Sequence, residues 1–219
     1  IAGHGVAARV DGRQVLAGNA AYLEDAGLQP ETPHAIGTAV HLAVDGVYAG
    51  YILIADAVKP DADCARIVGL NMEGPFLDPV KKGAHVEKYI RKPDIDFFRE
   101  CQKASGGRIR VVTVAPNMEG AETFIRELKD DVVISIGHTD ADYDCAASAM
   151  KSGAHHVTHL YNAMNDMGHR APGVVCAAAD DPECMVEMIG DGIHIDPAVV
   201  RNTFRMFGEE RIVLISDSM

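Results

Sequence analysis

The chain has 219 residues, of which 47% are hydrophobic and 24% are charged, as is typical of a globular protein. Its formal net charge of −12 argues against a nucleic-acid groove, because phosphate backbones are bound by basic faces. No apolar run approaches the roughly 20 residues of a membrane-spanning helix, so no membrane partner is expected. No signal sequence opens the chain, and its five cysteines are scattered, which predicts reduced thiols in a cytoplasmic protein.

The first 61 residues predict a small α+β segment. Two strand-like runs, GVAARVDGRQVLAGN and TAVHLAVDGVYAGYILIAD, each carry an Asp-Gly pair between apolar residues, the pattern of a β-hairpin. These pairs are Asp11-Gly12 and Asp45-Gly46. Between the runs, AAYLEDAG predicts a short helix that ends at Gly27. The predicted order is therefore β-β-α-β-β.

From about residue 62 onwards, predicted strands alternate with helices. Buried-type strands are predicted at ARIVGLNMEGP, IRVVTVAP, VVISIGH, HHVTHLY, VEMIGDGIHI and RIVLISDSM. Helical patterns lie at DIDFFRECQKAS, MEGAETFIRELKD, DADYDCAASAMKSG and DPAVVRNTFRMFG. This alternation predicts a parallel α/β sheet with right-handed crossovers, either an open sheet or a (β/α) barrel that lacks strands.

Ionisable side chains gather at the carboxyl ends of these predicted strands. They are Glu73, His138, His159, His194 and Asp217. In a (β/α) barrel the carboxyl ends form the mouth that carries the active site, so the five groups are expected to converge. A lone histidine in an apolar run is more often structural, but chance does not place such a group at the same end of five strands.

Glu73, His138 and His159 form a suitable ligand set for one divalent metal ion. Imidazole and carboxylate groups suit zinc, and also iron and its neighbours, and three protein ligands leave a position open for water. Asp217 could take a proton from that water and deliver it to a leaving amine. The alternative for Asp217 is a helix N-cap after the last strand.

Two further histidines precede His159 and are interpreted as structural. By strand alternation, His155 is expected on the face of His159, lower in the barrel. His156 is expected on the opposite face, towards the helices.

The motifs LNMEGPFLDPVKKGAH, IGHTDADYD, VTHLYNAM, GDGIH and LISDSM resemble N-acetylglucosamine-6-phosphate deacetylase, a family of the amidohydrolase superfamily. The similarity covers residues 64–219. It implies an incomplete TIM-type (β/α) barrel with six of eight strands. It also implies metal-dependent hydrolysis of the acetamide of N-acetylglucosamine-6-phosphate to glucosamine-6-phosphate and acetate, in amino-sugar metabolism.

The resemblance also implies roles for individual residues. Glu73, His138 and His159 match the metal ligands of the family. Asp217 matches the catalytic acid/base, and His194 matches the histidine that polarises the acetamide carbonyl and steadies the oxyanion. The implied substrate-binding residues, for the sugar and its phosphate, are His85, Asn162, Ala163 and Arg170. The implied partners are one divalent metal ion, a phosphorylated amino sugar and a second copy of the chain in a homodimer, with the phosphate-binding arginine serving the neighbouring subunit.

The chain departs from the deacetylase pattern at both ends of the barrel. The first two barrel strands, with a His-x-His-like motif, and the segment after Asp217 are not found. Some family members lack that histidine pair and use one metal, so a single-metal site is still expected. The first and last strands would then have unpaired edges.

Residues 1–61 resemble a different family. GHGVAARVDGRQVLAGNAAYLEDAG and AVHLAVDGVYAGYILIADAVKPDA are similar to the nucleotide-binding and phosphorylation domains of a heavy-metal (copper-type) P-type ATPase, near their junction. The domains are therefore expected at 1–61 and 62–219, and the chain is interpreted as a chimera or a joined fragment. A nucleotide-binding module and a non-catalytic fusion are the alternatives to a deacetylase.

Overall fold

The structure of the protein is a computed structural model that describes residues 5–10, 12–32, 38–54 and 68–217. The chain forms two compact units, Ile1–Ile67 and Val68–Met219. The expected boundary between residues 61 and 62 lies outside the described residues. Asp11 of the first Asp-Gly pair, and residues 65–67 of the first barrel strand predicted, also lie outside them.

The first unit is an antiparallel meander with one short helix. Its strands pair in chain order as β1 (Gly5–Val10), β2 (Arg13–Gly18), β3 (Thr38–Val44) and β4 (Val47–Ile54). Helix α1 (Ala20–Asp25) begins after Asn19, whose side-chain oxygen accepts the Tyr22 amide N–H at 2.9 Å. The β-β-α-β-β order predicted from the sequence is the order observed.

The turn between β3 and β4 shows the chemistry behind the hairpin prediction. Asp45 has φ 50° and Gly46 has φ 77°, and both residues of a type I′ turn need positive φ. The Asp45 carboxylate accepts hydrogen bonds from the Arg13 side chain and the Gln14 amide N–H, each at 2.8 Å. This turn therefore also joins the second hairpin to the first.

The second unit is built on a parallel sheet. Its strands pair in chain order, every neighbouring pair parallel, as β5 (Leu70–Met72), β6 (Ile109–Val114), β7 (Val133–Ile136), β8 (His156–Val157), β9 (Met185–Ile189) and β10 (Ile212–Ile215). This six-stranded sheet with its helices confirms the predicted α/β class and the partial TIM-type barrel. β5 and β10 lie at its two edges.

Helices follow the strands of this sheet. They are α2 (Ile95–Ala104), α3 (Ala121–Leu128), α4 (Tyr143–Ser152), α5 (Gly173–Asp180) and α6 (Pro197–Phe207). The carboxylates of Asp94, Asp142 and Asp196 accept amide N–H groups at the starts of α2, α4 and α6. The longest of these helices has 11 residues, and none of the helices in the described chain is long and apolar enough to cross a membrane.

Two elements differ from the sequence prediction. β8 has only two residues, because the chain turns at His159, where φ is 28°. Helix α5 is not predicted by the sequence patterns, since its residues GVVCAAAD are apolar on most sides and lack a polar face. Burial between neighbouring elements, rather than amphipathic periodicity, accounts for this helix.

The two faces of the parallel sheet have different chemistry. One face packs against the helices with fully buried apolar residues that include Val112, Val114, Ile134, Ile136 and Val186. The opposite face, called the inner face here, is polar. Its members are Asn71, Thr113, Ser135, His156, Thr158 and Glu187, which contact one another across the strands.

Candidate metal centre

Three histidines surround one carboxylate oxygen at the carboxyl edge of the parallel sheet. Glu73 Oε1 lies 2.7 Å from His138 Nε2 and 3.3 Å from His159 Nε2. These two ring nitrogens are 2.9 Å from each other. His85 Nε2 approaches the same Glu73 oxygen to 3.2 Å. The structure therefore brings together the three predicted ligands and places His85 beside them.

The backbone after each strand directs these side chains. Glu73 comes directly after β5, and His138 and His159 each lie two residues after the ends of β7 and β8. His138 has φ 46° and His159 has φ 28°, in a region that non-glycine residues occupy infrequently. The turns at these two histidines thus point both imidazoles at Glu73.

A backbone carbonyl sets the tautomer of His138. Nδ1 lies 2.8 Å from the Lys81 carbonyl oxygen, which can only accept, so Nδ1 carries the proton. In the neutral ring Nε2 then has a lone pair that faces the Glu73 carboxylate oxygen. Two acceptors at this distance need a proton or a cation between them. Gly83 allows the close approach of this loop, because an added Cβ would lie 3.0 Å from the His138 ring.

The burial of His159 is also consistent with a cation at this cluster. Its Nδ1 is buried and has no hydrogen-bond partner among the described residues, so Nε2 is the nitrogen that serves the cluster. Glu73, His85 and His138 each offer a ligand atom within 4.8 Å of the others. Two imidazole Nε2 atoms and a carboxylate oxygen are donors that zinc and similar divalent ions accept. The residues present therefore fit a divalent cation.

The electrostatics of the cluster keep the carboxylate ionised. Burial raises the pKa of Glu73, but its close contacts with the His138 and His159 rings outweigh burial and hold that pKa well below its usual range. Burial opposes protonation of His159, whereas the hydrogen bond and charge of Glu73, with a contribution from Asp217, raise the pKa of the ring. The ionised carboxylate is the state of Glu73 that a bound cation requires.

Asp217 lies close to this cluster, at the carboxyl end of β10. It shares a cavity of about 410 Å³ with Asn71, Glu73, Glu187 and the end of β10. The backbone of Asp217 has φ 49°, a positive value like those of His138 and His159. The segment that would decide whether Asp217 caps a following helix lies outside the described residues.

His194 is not drawn into the cluster. It lies in the loop after β9, where its Nδ1 contacts the Asp191 carboxylate at 2.8 Å and its side chain is 48% exposed. The same carboxylate accepts the amide N–H groups of Ile193 and His194. Those backbone hydrogen bonds are the main reason that the pKa of Asp191 is lowered.

Three of the expected substrate residues lie in the segment after His159. The Asn162 side chain donates to the carbonyl oxygens of His159 and Leu160, both at 3.3 Å. The Ala163 carbonyl accepts the Thr139 amide N–H, which joins this segment to the loop after β7. Arg170 is exposed. The structure thus places Asn162 and Ala163 beside the cluster and Arg170 on the surface.

The faces of His155 and His156 are the reverse of those expected from strand alternation. His156 Nδ1 contacts Ser135 on the inner face, whereas His155 Nδ1 contacts Asp181 at 2.7 Å, where the chain leaves α5. The turn at His159 breaks the alternation on which the prediction depended. Burial lowers the pKa of His156 to about 4, so its ring is neutral at pH 7. Its 3.9 Å approach to Glu187 is therefore not an ion pair at that pH.

The residues that hold the loop after β5 are not identified by the sequence patterns. Asp78 accepts hydrogen bonds from Asn117 and from the Val80 amide N–H, and its own amide N–H donates to the His138 carbonyl. Thr139 in turn donates to Asn117 at 2.6 Å. These contacts fix the loop that carries the Lys81 carbonyl. Asp78 and Thr139 lie within two of the quoted motifs and Asn117 lies outside them, and the contacts themselves have no sequence signal because they join distant segments.

Known proteins resemble this chain over most of its length. No family model matches it. The N-acetylglucosamine-6-phosphate deacetylase of Bacillus subtilis is 42% identical over 156 residues, covering 71% of this chain and 39% of that protein. The deacetylase of the same name from Vibrio furnissii is 35% identical over 185 residues, covering 84% of this chain and 46% of that protein.

Solved structures agree with these relatives. N-acetyl-D-glucosamine-6-phosphate deacetylase from Mycobacterium smegmatis matches with a TM-score of 0.67 and 40% identity, covering 69% of this chain and 40% of that chain. A mutant of that enzyme in complex with N-acetyl-D-glucosamine-6-phosphate matches with the same TM-score and 39% identity.

The chain spans less than half the length of the curated relatives it matches. The alignment with the Vibrio furnissii protein covers more of the chain than residues 64–219 contain. The relatives give no support to the resemblance of residues 1–61 to a P-type ATPase, nor to a chimera. The curated and structural matches, together with the parallel sheet and its cluster, support the N-acetylglucosamine-6-phosphate deacetylase family for this chain.

Proposed function

We propose that the chain contributes the metal-binding half of an enzyme that hydrolyses the acetamide of N-acetylglucosamine-6-phosphate to glucosamine-6-phosphate and acetate. The observation that carries this proposal is the convergence of His138 Nε2 and His159 Nε2 on Glu73 Oε1. Relatives with this activity in their names, and a related structure in complex with the sugar phosphate, support the reaction and the substrate.

Glu73, His138 and His159 would hold one divalent metal ion, zinc in the first place and iron or another divalent ion as alternatives. The bound ion supplies Lewis acidity and a water of lowered pKa. Glu73 contributes the negative charge, since its carboxylate stays ionised. The Lys81 carbonyl keeps the proton of His138 on Nδ1 and so leaves Nε2 free to bind.

Asp217 and His194 would do the acid-base and carbonyl chemistry. Asp217 lines the same cavity as Glu73, which supports a role for its carboxylate in taking a proton from water and returning it to the amine. His194 would polarise the acetamide carbonyl. Asp191 holds the His194 ring through Nδ1, which leaves Nε2 for the substrate.

The sugar phosphate would be bound by His85, Asn162, Ala163 and Arg170. His85 lies against the Glu73 carboxylate, so a sugar held by this ring would present its acetamide to the cluster. Arg170 is exposed, as a residue that serves the neighbouring subunit of a homodimer would be in a single chain. The four described cysteines, Cys101, Cys145, Cys176 and Cys184, are free thiols, which supports a cytoplasmic location.

Zinc binding by the purified full chain tests this proposal. We expect about one zinc per chain, lost in His159→Ala because that change removes one of the three proposed ligands. His155→Ala is the matched control, since His155 contacts Asp181 and not the cluster. A folded wild-type protein without zinc, or equal loss in both variants, would contradict the assignment. Acetate release from N-acetylglucosamine-6-phosphate then tests the reaction.

A further inference from the structure

Glu187 is a buried carboxylate on the inner face, next to the proposed metal centre. Glu187 as a whole is only 5% exposed. Oε2 accepts the backbone N–H of His159 at 3.3 Å. Oε1 accepts a hydrogen bond from the side-chain Nδ2 of Asn71 at 3.4 Å. Glu187 lies on β9 and Asn71 on β5, with three strands between them in the sheet. One carboxylate therefore connects two distant strands with the turn after β8.

Glu187 holds the turn at His159 through two consecutive amides. Its side chain accepts the N–H of His159, and its main-chain oxygen accepts the N–H of Leu160 at 2.8 Å. This is the turn in which His159 has φ 28°. A residue in that conformation persists when surrounding contacts determine it. The direction of the His159 imidazole thus depends on contacts that Glu187 makes.

Asn71 extends this connection to the other side of the cluster. It stands two residues before Glu73, so the position of Asn71 determines where the chain leaves β5 towards the Glu73 carboxylate. The contact between Asn71 and Glu187 crosses the inner face of the sheet. It joins the strand that leads to Glu73 with the residue that holds the turn at His159.

Packing gives no reason for a carboxylate at this position. Burial raises the pKa of Glu187, as do the charges of Glu73 and Asp217, while the His159 amide opposes them. An apolar residue of similar size would fill a sheet interior without the cost of desolvating a carboxyl group. The two hydrogen-bonded partners are therefore the feature that distinguishes Glu187 from an apolar residue.

The geometry points to Glu187 as a positioning residue of the metal centre, which fixes the His159 turn against β5 so that His159 Nε2 and Glu73 Oε1 can share one cation. This inference rests on the proposed function and assigns a role to a residue outside its ligand set. The role requires a hydrogen-bond acceptor rather than a charge. Glutamine can accept the His159 N–H and, once the Asn71 side-chain amide has turned over, donate to Asn71 Oδ1, whereas alanine can do neither.

Three variants of the full chain test this role: Glu187→Ala, Glu187→Gln and the matched control Glu183→Ala, an exposed glutamate just before β9. We expect Glu187→Ala to weaken zinc affinity by roughly 10–100-fold, the usual effect of removing a group that orients a ligand. Glu187→Gln and Glu183→Ala should bind zinc as the wild type does. The visible absorption of the cobalt(II)-loaded proteins should change in Glu187→Ala alone.

Hydrogen exchange of the metal-free proteins provides a readout that does not depend on the cation. The amide of His159 should exchange faster in Glu187→Ala and at the wild-type rate in Glu187→Gln. If Glu187→Ala does not fold, Asn71→Ala is the second test variant, because Asn71 is more exposed than Glu187. The zinc affinity of Asn71→Ala should fall, while that of Glu183→Ala should stay unchanged.

Two outcomes would overturn the inference. One is wild-type zinc affinity or wild-type exchange at His159 when the contact is removed. The other is an equal loss in Glu187→Gln and Glu187→Ala, which would assign the role to charge. A wild type that binds no zinc would instead refute the proposed function, and the exchange rate of the His159 amide would still decide whether Glu187 holds the turn.

Discussion

The two units of the chain are organised by different kinds of interaction. The first unit is a meander whose buried apolar side chains, among the described residues, are Leu23 and Ala43, and whose turn at Asp45 is fixed by hydrogen bonds from Arg13 and Gln14 of β2. The second unit buries a continuous core from Phe76 to Phe207 between its sheet and helices. A meander can therefore be held by its turns and strand pairing with few buried side chains, whereas the candidate site, which joins several strands, lies on a packed core.

The largest expected effect tests whether the second unit carries the chemistry. Under the proposed function, Asp217→Asn keeps the size of the side chain but removes the base, so acetate release should fall by roughly two to four orders of magnitude. Zinc content should not change, because Asp217 is outside the proposed ligand set. Asp180→Asn, whose carboxylate contacts Tyr143, is the control. Full activity in Asp217→Asn would show that another group handles the proton.

The next effect concerns the core. Phe124→Ala removes a fully buried ring that packs against Phe76 and Phe98, and should lower the free energy of unfolding by about 3–5 kcal/mol. Val47→Ala, at a 68% exposed position in the first unit, should change it by less than about 0.5 kcal/mol. Denaturant unfolding measures both. Similar costs at the two positions would remove the contrast between the units.

A pH effect should come from the inner face. Burial lowers the pKa of His156 from 6.5 to about 4, so the folded state favours the neutral ring. Its contribution to stability is present above pH 6.5 and is lost as the pH falls towards 4, a change of about 3 kcal/mol. Unfolding of the metal-free protein at pH 7 and pH 4.5 measures this loss. His156→Asn should lose less stability over that range, and His155→Asn should behave as the wild type does.

The smallest effect belongs to the hairpin of the first unit. An added Cβ at Gly46 meets nothing within 4 Å, so Gly46→Ala should cost only the strain of a positive φ, about 1 kcal/mol. Hydrogen exchange in β3 and β4 should speed up, with zinc binding unchanged. Gly46→Asn should cost less, because asparagine tolerates this conformation. Equal costs for the two substitutions would exclude backbone strain as the cause.

Much of the candidate site could be predicted because strand ends are visible in a sequence. Glu73, His138 and His159 each follow an apolar run, and parallel strands place such residues at one edge. The faces of His155 and His156 could not be predicted, since they depend on where β8 stops. The resemblance implies that His85 contacts the sugar. Its approach to the Glu73 carboxylate could not be predicted, because that contact depends on how the loop after β5 folds back.

Features that depend on neighbouring residues follow from the amino-acid sequence alone. Asp94, Asp142 and Asp196 mark helix starts because their carboxylates bond to amides two or three residues away. The Asp45-Gly46 pair marks a hairpin because both residues accept positive φ. Alternating strands and helices predicted the parallel sheet for a similar reason, since a crossover helix is the usual way to connect parallel strands.

Features that join distant segments depend instead on how the chain folds. Burial, and not periodicity, makes α5 a helix. The Lys81 carbonyl sets the tautomer of His138 from 57 residues away, and Glu187 bonds to Asn71 across 116 residues. Such contacts have no local signal, because they form only when the sheet brings its strands together and water is excluded from the polar groups between them.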